Sequence, residues 1–296
     1  MFAAAVILAV LAARLGAEPF LDGLRHTDPR GLLAALAVTA VTTACCARRW
    51  SLIAHGLGVG ISFGAAYRTC YRAQLLNATL PGGVLGDLHR GYRHGRDTAA
   101  LGLGLRSVAW DRGSGQVVQA GLAVGVVPLL PGVLRGWAAG VLAAVLVVAA
   151  VVVAVARREA VAALGGVWPR VLLLSAVAAG GHVVVFLVAA RTAGVDLSTP
   201  RLLALALVVL LASAIPVGIA GWGPREGAAA GAFAAAGLGA ATGVEVAVVY
   251  GVMSLVATLP GILVLRTRPT SAAPSLTPSA GAGKGGSAWA IGPTSS

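Results

Sequence analysis

The chain has 296 residues, 58% of them hydrophobic and only 11% charged, with a mean hydropathy of +0.88, whereas a soluble domain is roughly 25% charged. Its 22 cations and 10 anions cannot cover the surface of a water-soluble globule of this length, so lipid is the solvent for most of it. The net charge of +12 comes from 21 Arg and the single Lys284; in so apolar a chain it fits the positive-inside bias and anionic lipid headgroups, and nucleic acid is not an expected partner.

About 20 apolar residues cross a bilayer as a helix. Uncharged or nearly uncharged runs of that order occur at 31–47, 113–130, 137–156, 171–190, 202–220 and 246–265, with weaker ones at 2–13 and 227–242. The expected fold is therefore all-α, a polytopic integral membrane helical bundle of about eight spans with re-entrant or broken helices. The first run lacks the cationic leader of a signal peptide, which weighs against its removal.

Arginine pairs follow three of these runs: Arg48 with Arg49, Arg157 with Arg158, and Arg266 with Arg268. They are separated by even numbers of crossings, so the positive-inside rule puts all three on the cytoplasmic face of the cell membrane, together with both termini. Between 51 and 112 the charges Arg68, Arg72, Asp87, Arg90, Arg93, Arg96, Arg106, Asp111 and Arg112 interrupt apolar segments too short to span, a pattern suited to re-entrant or interfacial helices. The chain thus divides into a transmembrane domain over 1–266 and a Pro-, Ser- and Gly-rich tail over 267–296 that is expected to be disordered.

Two constellations carry candidate chemistry. In the first, Asn77 approaches a break made by Pro81, Gly82 and Gly83, after which Gly86, Asp87 and Arg90 open a polar helix. Pro81 ends one helix, and the next begins with its positive dipole end unblocked, where a phosphate or other anion binds. Asp87 and Arg90 are three apart and share a face. An arginine there grips a phosphate bidentately, while a carboxylate orients it.

The second constellation repeats the theme at Pro216, Gly218, Gly221, Gly223, Pro224, Arg225 and Glu226. Pro224 suits a first helical turn and Glu226 its dipole, so a helix start is expected after Gly223 with an intramembrane ion pair. Two broken helices, one in each half, are how transporter-like proteins build a site. Asp111 and Arg112 add an acid and a base at a membrane boundary. His182 reads as a histidine bonded within the bundle, and Glu245 as a solvated boundary residue. The three cysteines have no metal-ligand spacing and no catalytic motif stands out, so neither a metal, a cofactor nor a catalytic residue is assigned.

These motifs in this order resemble the flippase-like domain family, also called the lysylphosphatidylglycerol synthase transmembrane region. The resemblance rests on Arg49-Trp50, on Asn77 with Leu80-Pro81-Gly82 and Gly86-Asp87 followed by Arg90, on Ser107-Val108 with Asp111-Arg112, and on Pro216, Gly218, Gly221, Gly223 and Arg225-Glu226-Gly227. One departure is Leu85, where the family commonly has Gly. The resemblance implies a membrane protein that flips lipids or presents their headgroups to an enzyme. In the two-part synthases of the family a soluble domain performs aminoacyl transfer; the short tail here is not expected to do so.

The expected function is translocation or binding of anionic lipid headgroups, phospholipid or polyprenyl-phosphate-linked. Asn77, Pro81, Gly82, Gly83, Gly86, Asp87, Arg90, Asp111, Arg112, Gly221, Gly223, Arg225 and Glu226 form the candidate site. The alternatives are a membrane-embedded transferase acting on a lipid phosphate, with Asp87 or Asp111 as base, and a scaffold for a separate lipid-modifying enzyme.

Overall fold

Apolar surroundings offer the backbone no competing water, so the hydrophobic runs close their hydrogen bonds internally as helices. A computed structural model describes residues 2–213, 218 and 222–265, with side chains in the first helix from residue 6 onward. Among the described residues the protein is all-α. In chain order the helices are α1 (Phe2–Leu15), α2 (Glu18–Arg25), α3 (Pro29–Gly56), α4 (Phe63–Thr79), α5 (Leu85–Asp97), α6 (Leu101–Val124), α7 (Gly132–Val155), α8 (Arg157–Leu164), α9 (Trp168–Thr192), α10 (Thr199–Ser213), α11 (Pro224–Ala235), α12 (Ala240–Thr258) and α13 (Gly261–Leu265).

Local chemistry sets the helix ends. The Asp28 carboxylate accepts from the Gly31 N–H, and Pro29 occupies the first turn of α3, where a missing N–H costs nothing. Ser62 caps α4 in the same way through the Ala65 N–H. α9 stops where Gly194 takes a φ of +75°, and Gly237 and Gly239, both at positive φ, separate α11 from α12.

Helices α3, α7, α9 and α12 are long and apolar enough to cross a membrane, and the apolar stretches Val6–Leu15 and Thr199–Ser213 are shorter. α6 matches α7 in length but carries Arg106, Asp111 and Arg112. Of the α7 side chains only Leu142 is buried, while Trp137 is 77% and Val155 84% exposed. A surface so uniformly apolar is a lipid-facing one.

Several expected boundaries move. The run 31–47 does not end at its arginine pair, because α3 continues to Gly56 with Arg49 turned inward and buried. A guanidinium committed inside the bundle is no longer a solvated topology marker. The run 113–130 is the second half of α6 followed by a short 3-10 turn over Val127–Leu129. The run 227–242 straddles the glycine break between α11 and α12, and the run 246–265 divides between α12 and α13. The end of the run 202–220, the pair Arg266 and Arg268, and the 267–296 tail lie outside the described residues.

α9 runs along α3, and both pack on α6 and α12, so the long helices gather around one interior. Phe186 of α9, Leu202, Leu205 and Val209 of α10, Phe233 of α11 and Met253 of α12 fill the larger core. A second core gathers Trp50, Ile53, Cys70 and Val108 beside the α5–α6 hairpin. That hairpin closes through small residues. A Cβ on Gly104 would lie 2.3 Å from the Gly95 Cα, backbone that cannot yield.

Gly104→Ala should therefore push α5 from α6 and cost about 1 to 3 kcal/mol through overpacking. Gly136→Ala on the lipid face of α7, where no atom lies within 4 Å of the added methyl, should gain up to about 1 kcal/mol from helix propensity. Thermal unfolding of the two variants in detergent checks both signs. Equal or greater stability of Gly104→Ala than wild type would contradict the close α5–α6 contact.

Candidate functional site

Midway along α6, Asp111 accepts from two guanidiniums, the Arg49 Nε at 2.7 Å and the Arg90 Nη2 at 2.7 Å. Arg49 reaches it from α3 and donates its Nη1 to the Ser175 hydroxyl of α9 at 2.9 Å. Arg90 reaches it from α5 and also donates its Nε to Asp87 Oδ1 at 2.8 Å, across the three-residue spacing that puts both on one helix face. The second Asp87 oxygen accepts from the Asn77 amide at 2.7 Å and from Arg112 through Nε at 2.8 Å and through Nη2. Five elements, α3, α4, α5, α6 and α9, meet in this network.

Aromatic and sulfur contacts complete it. The Arg90 guanidinium lies 4.8 Å over the Trp50 ring, and its Nη1 points at the Cys70 sulfur at 3.4 Å. Trp50 is held by donating its indole N–H to the Ser107 hydroxyl at 3.0 Å. Gly115 makes room for Arg49, since a Cβ there would sit 2.8 Å from the Nη1.

Three guanidiniums against two carboxylates leave one positive charge over. Arg49, Arg90 and Asp111 are buried, but the Arg112 side chain is 43% exposed. Burial alone would raise the Asp87 pKa, yet the guanidiniums of Arg90 and Arg112 and the Asn77 amide hold it below the ordinary carboxylate value. The carboxylate is thus ionised at neutral pH, and Arg112 is the accessible member of a network with one surplus positive charge.

The break between α4 and α5 forms as the sequence implies, with Gly82 at φ +89° and Gly83 at φ +66°. Its helix end is not open, however. The Gly86 N–H donates to Asn77 Oδ1 at 2.8 Å, and the Asp87 carboxylate already lies in the first turn. Gly86 is required for another reason: a Cβ there would lie 2.1 Å from the Ala73 carbonyl oxygen. Leu85, the departure from the family pattern, is exposed and takes no part in that contact.

The second constellation follows the same rule. α11 begins at Pro224 after Gly223 at φ +113°, and its leading N–H, that of Gly223, donates to Glu226 Oε2 at 2.5 Å. Glu226 Oε1 accepts from the Arg225 Nε at 2.8 Å and Nη2 at 2.6 Å. Arg225 lies 5.1 Å from the Trp222 ring centroid and 5.5 Å from that of Tyr250, over a Gly251 whose Cβ would strike it. Both helix starts are therefore occupied by the protein's own acceptors, because a buried carboxylate needs donors as much as an external anion does. Pro216 and Gly221 lie outside the described residues.

The fold joins the two constellations. The Gly82 N–H donates to the Gly218 carbonyl at 2.8 Å, so the two chain breaks touch. Further in, the Tyr250 hydroxyl lies 3.4 Å from His182 Nδ1, and Tyr250 also stacks under Arg225. His182 is thereby bonded within the bundle as expected, while Glu245, expected to be solvated, meets His26 at 2.7 Å.

Sequence reasoning did not assign Ser175, Cys70 or Tyr250 to either ion cluster, and it had Trp222 within the second motif without its role as a ring beside Arg225. Ser175 and Tyr250 are isolated in apolar runs and Cys70 stands among the arginines of α4, and only the approach of another helix makes each of them a partner. Trp50 entered through its motif without its role as the face on which Arg90 rests.

The family model of the lysylphosphatidylglycerol synthase TM region matches residues 1–261. No curated protein matches the chain.

Removing Asp111 leaves two buried guanidiniums without their shared partner. Asp111→Asn should destabilise the fold by about 3 to 5 kcal/mol, the scale of a broken buried pair. Arg112→Gln, at the accessible rim of the same network, should cost about 1 kcal/mol or less. Detergent-solubilised yield and melting temperature separate the two, and an Asp111→Asn variant as stable as Arg112→Gln would remove the network from its structural role.

Proposed function

This chain belongs to the lysylphosphatidylglycerol synthase TM region family of integral membrane proteins, and we propose that it binds and translocates anionic lipids by their headgroups. The observation that carries this reading is Arg112: the accessible cation, midway along α6, of an otherwise buried network that holds three guanidiniums against two carboxylates. An ionisable cluster inside so apolar a bundle is costly, and its accessible cation is suited to meet a charge that enters from outside. The acyl chains remain in lipid while the phosphate exchanges its water for guanidinium donors.

Asn77, Gly86, Asp87, Arg90 and Asp111 support Arg112 from behind, fixing its rotamer through Asp87. Arg225, Glu226 and Gly223 form the second wall, joined to the first by the Gly82–Gly218 contact near Pro81 and Gly83. A transferase reading would need a free carboxylate as base. Asp87 and Asp111 each accept from two guanidiniums, which makes both poor proton acceptors and favours binding over transfer. On the same reading the protein resides in the cell membrane with both termini cytoplasmic, the side marked by Arg157 and Arg158 after α7.

The test is reconstitution into liposomes with labelled phosphatidylglycerol, zwitterionic phospholipids and polyprenyl-phosphate-linked sugars. Binding or transbilayer movement of an anionic lipid above protein-free liposomes is expected. Arg112→Gln should reduce it roughly tenfold, the scale of a lost charged hydrogen bond, while Arg157→Gln should leave it unchanged. If no lipid binds or moves above the protein-free control, the reading fails.

A further inference from the structure

His182 sits near the centre of α9, the 25-residue helix Trp168–Thr192. On that helix Leu173, Val177 and Val184 form an exposed apolar stripe. At about 100° per residue, His182 falls on the opposite side from this stripe. That side also carries Ser175, the buried partner of Arg49. Yet His182 is itself exposed. A side chain that is accessible on the protein-facing side of a spanning helix opens onto an internal cleft, not onto lipid.

The cleft has other polar walls. α6, which carries Arg112, packs along α9, and the Asp111–Arg49–Ser175 bonds tie α6 to α9 about two turns from His182. Tyr250 of α12 closes the far side at 3.4 Å from Nδ1. Among the described residues no other hydrogen bond reaches the ring. If the Tyr250 hydroxyl donates to Nδ1, the ring proton resides on Nε2, because the partner of one imidazole nitrogen sets the state of the other. The ring then offers an N–H donor for which no acceptor is found among the described residues, on the helix that packs against α6 and its accessible Arg112.

We propose that His182 and Arg112 together hold the phosphate of a lipid headgroup in this cleft, Arg112 by its guanidinium and His182 by its Nε2–H. The assignment rests on the headgroup-binding function above and adds its second contact. It also gives the α9 histidine a use that the apolar sequence around it does not explain. The chemistry recognised is a phosphate mono- or diester, whether on a lipid or free in water.

Wild-type protein in detergent is treated with diethyl pyrocarbonate, and modification of His182 is read by peptide mass spectrometry. The reaction is run with phosphatidylglycerol, with diacylglycerol that lacks phosphate, with water-soluble glycerol phosphate, or with no addition. Binding of phosphatidylglycerol is measured in parallel. Modification of His182 in the free protein is expected, with at least severalfold protection by phosphatidylglycerol and none by diacylglycerol. Protection by glycerol phosphate at the same concentration would keep the phosphate site but assign it to soluble ligands. Equal protection by phosphatidylglycerol and diacylglycerol would overturn the proposal, since acyl chains alone would then cover the ring.

His182→Ala and the more conservative His182→Gln should each weaken phosphatidylglycerol binding, His182→Ala by roughly tenfold, at an unchanged melting temperature. Should either variant fail to fold, the protection experiment on the wild type decides alone. Wild-type protein that binds no phosphatidylglycerol sinks the headgroup function itself. Wild-type protein that binds it while His182 stays fully reactive sinks only the role of His182.

Discussion

The structure turns on Asp111, a carboxylate buried in an apolar bundle between two guanidiniums. Away from water a charge of either sign is tolerated only when paired and fully hydrogen-bonded. Asp111 therefore fixes where Arg49 of α3 and Arg90 of α5 must come; Arg49 holds α9 through Ser175, and Arg90 orients Asp87 of its own helix, which accepts from Asn77 of α4. Among the described residues no buried side-chain nitrogen or oxygen is left without a partner. The network defines one arrangement of helices, which apolar packing alone, being non-directional, would leave free to slide.

Small residues make that arrangement reachable. Gly86 lets α5 approach the Ala73 carbonyl of α4, Gly104 lets α6 meet α5, and Gly115 leaves space for the guanidinium of Arg49. In lipid the hydrophobic effect does not drive helices together, so contact area and interhelical hydrogen bonds must do so. Glycine serves both, by bringing backbones close and by clearing room for long polar side chains. α7 has neither buried charges nor such contacts and remains bathed on most sides by lipid.

The two ion clusters divide the interior between them. One is anchored at Asp111 and the other at Glu226, which is wholly buried and satisfied by Arg225 and the Gly223 N–H. Between them lie His182 and Tyr250, polar groups on helices that are otherwise apolar at that depth. The fully buried ion pairs hold the shape, whereas Arg112 and the His182 ring remain accessible. On the proposed function, such a protein separates the groups that stabilise it from the groups that would recognise its ligand.

The helical class and the membrane setting were legible in composition, because lipid permits few solutions for an apolar backbone. The two chain breaks were equally legible, since Pro81, Gly82, Gly83, Gly223 and Pro224 act through their own backbone geometry, and the Asp87–Arg90 pair followed from helical spacing alone. What the linear chain did not contain was which helix lies beside which. Arg49 reads as a charge flanking the bilayer until α6 brings Asp111 to it across 62 residues. Arg90 reads as a free phosphate grip until the same carboxylate claims it, and His182 meets Tyr250 only when α9 and α12 come together. Local conformation is decided by neighbours in sequence, and so it can be read there. The state of a buried charge is decided by its partners in space, and only the tertiary structure supplies them.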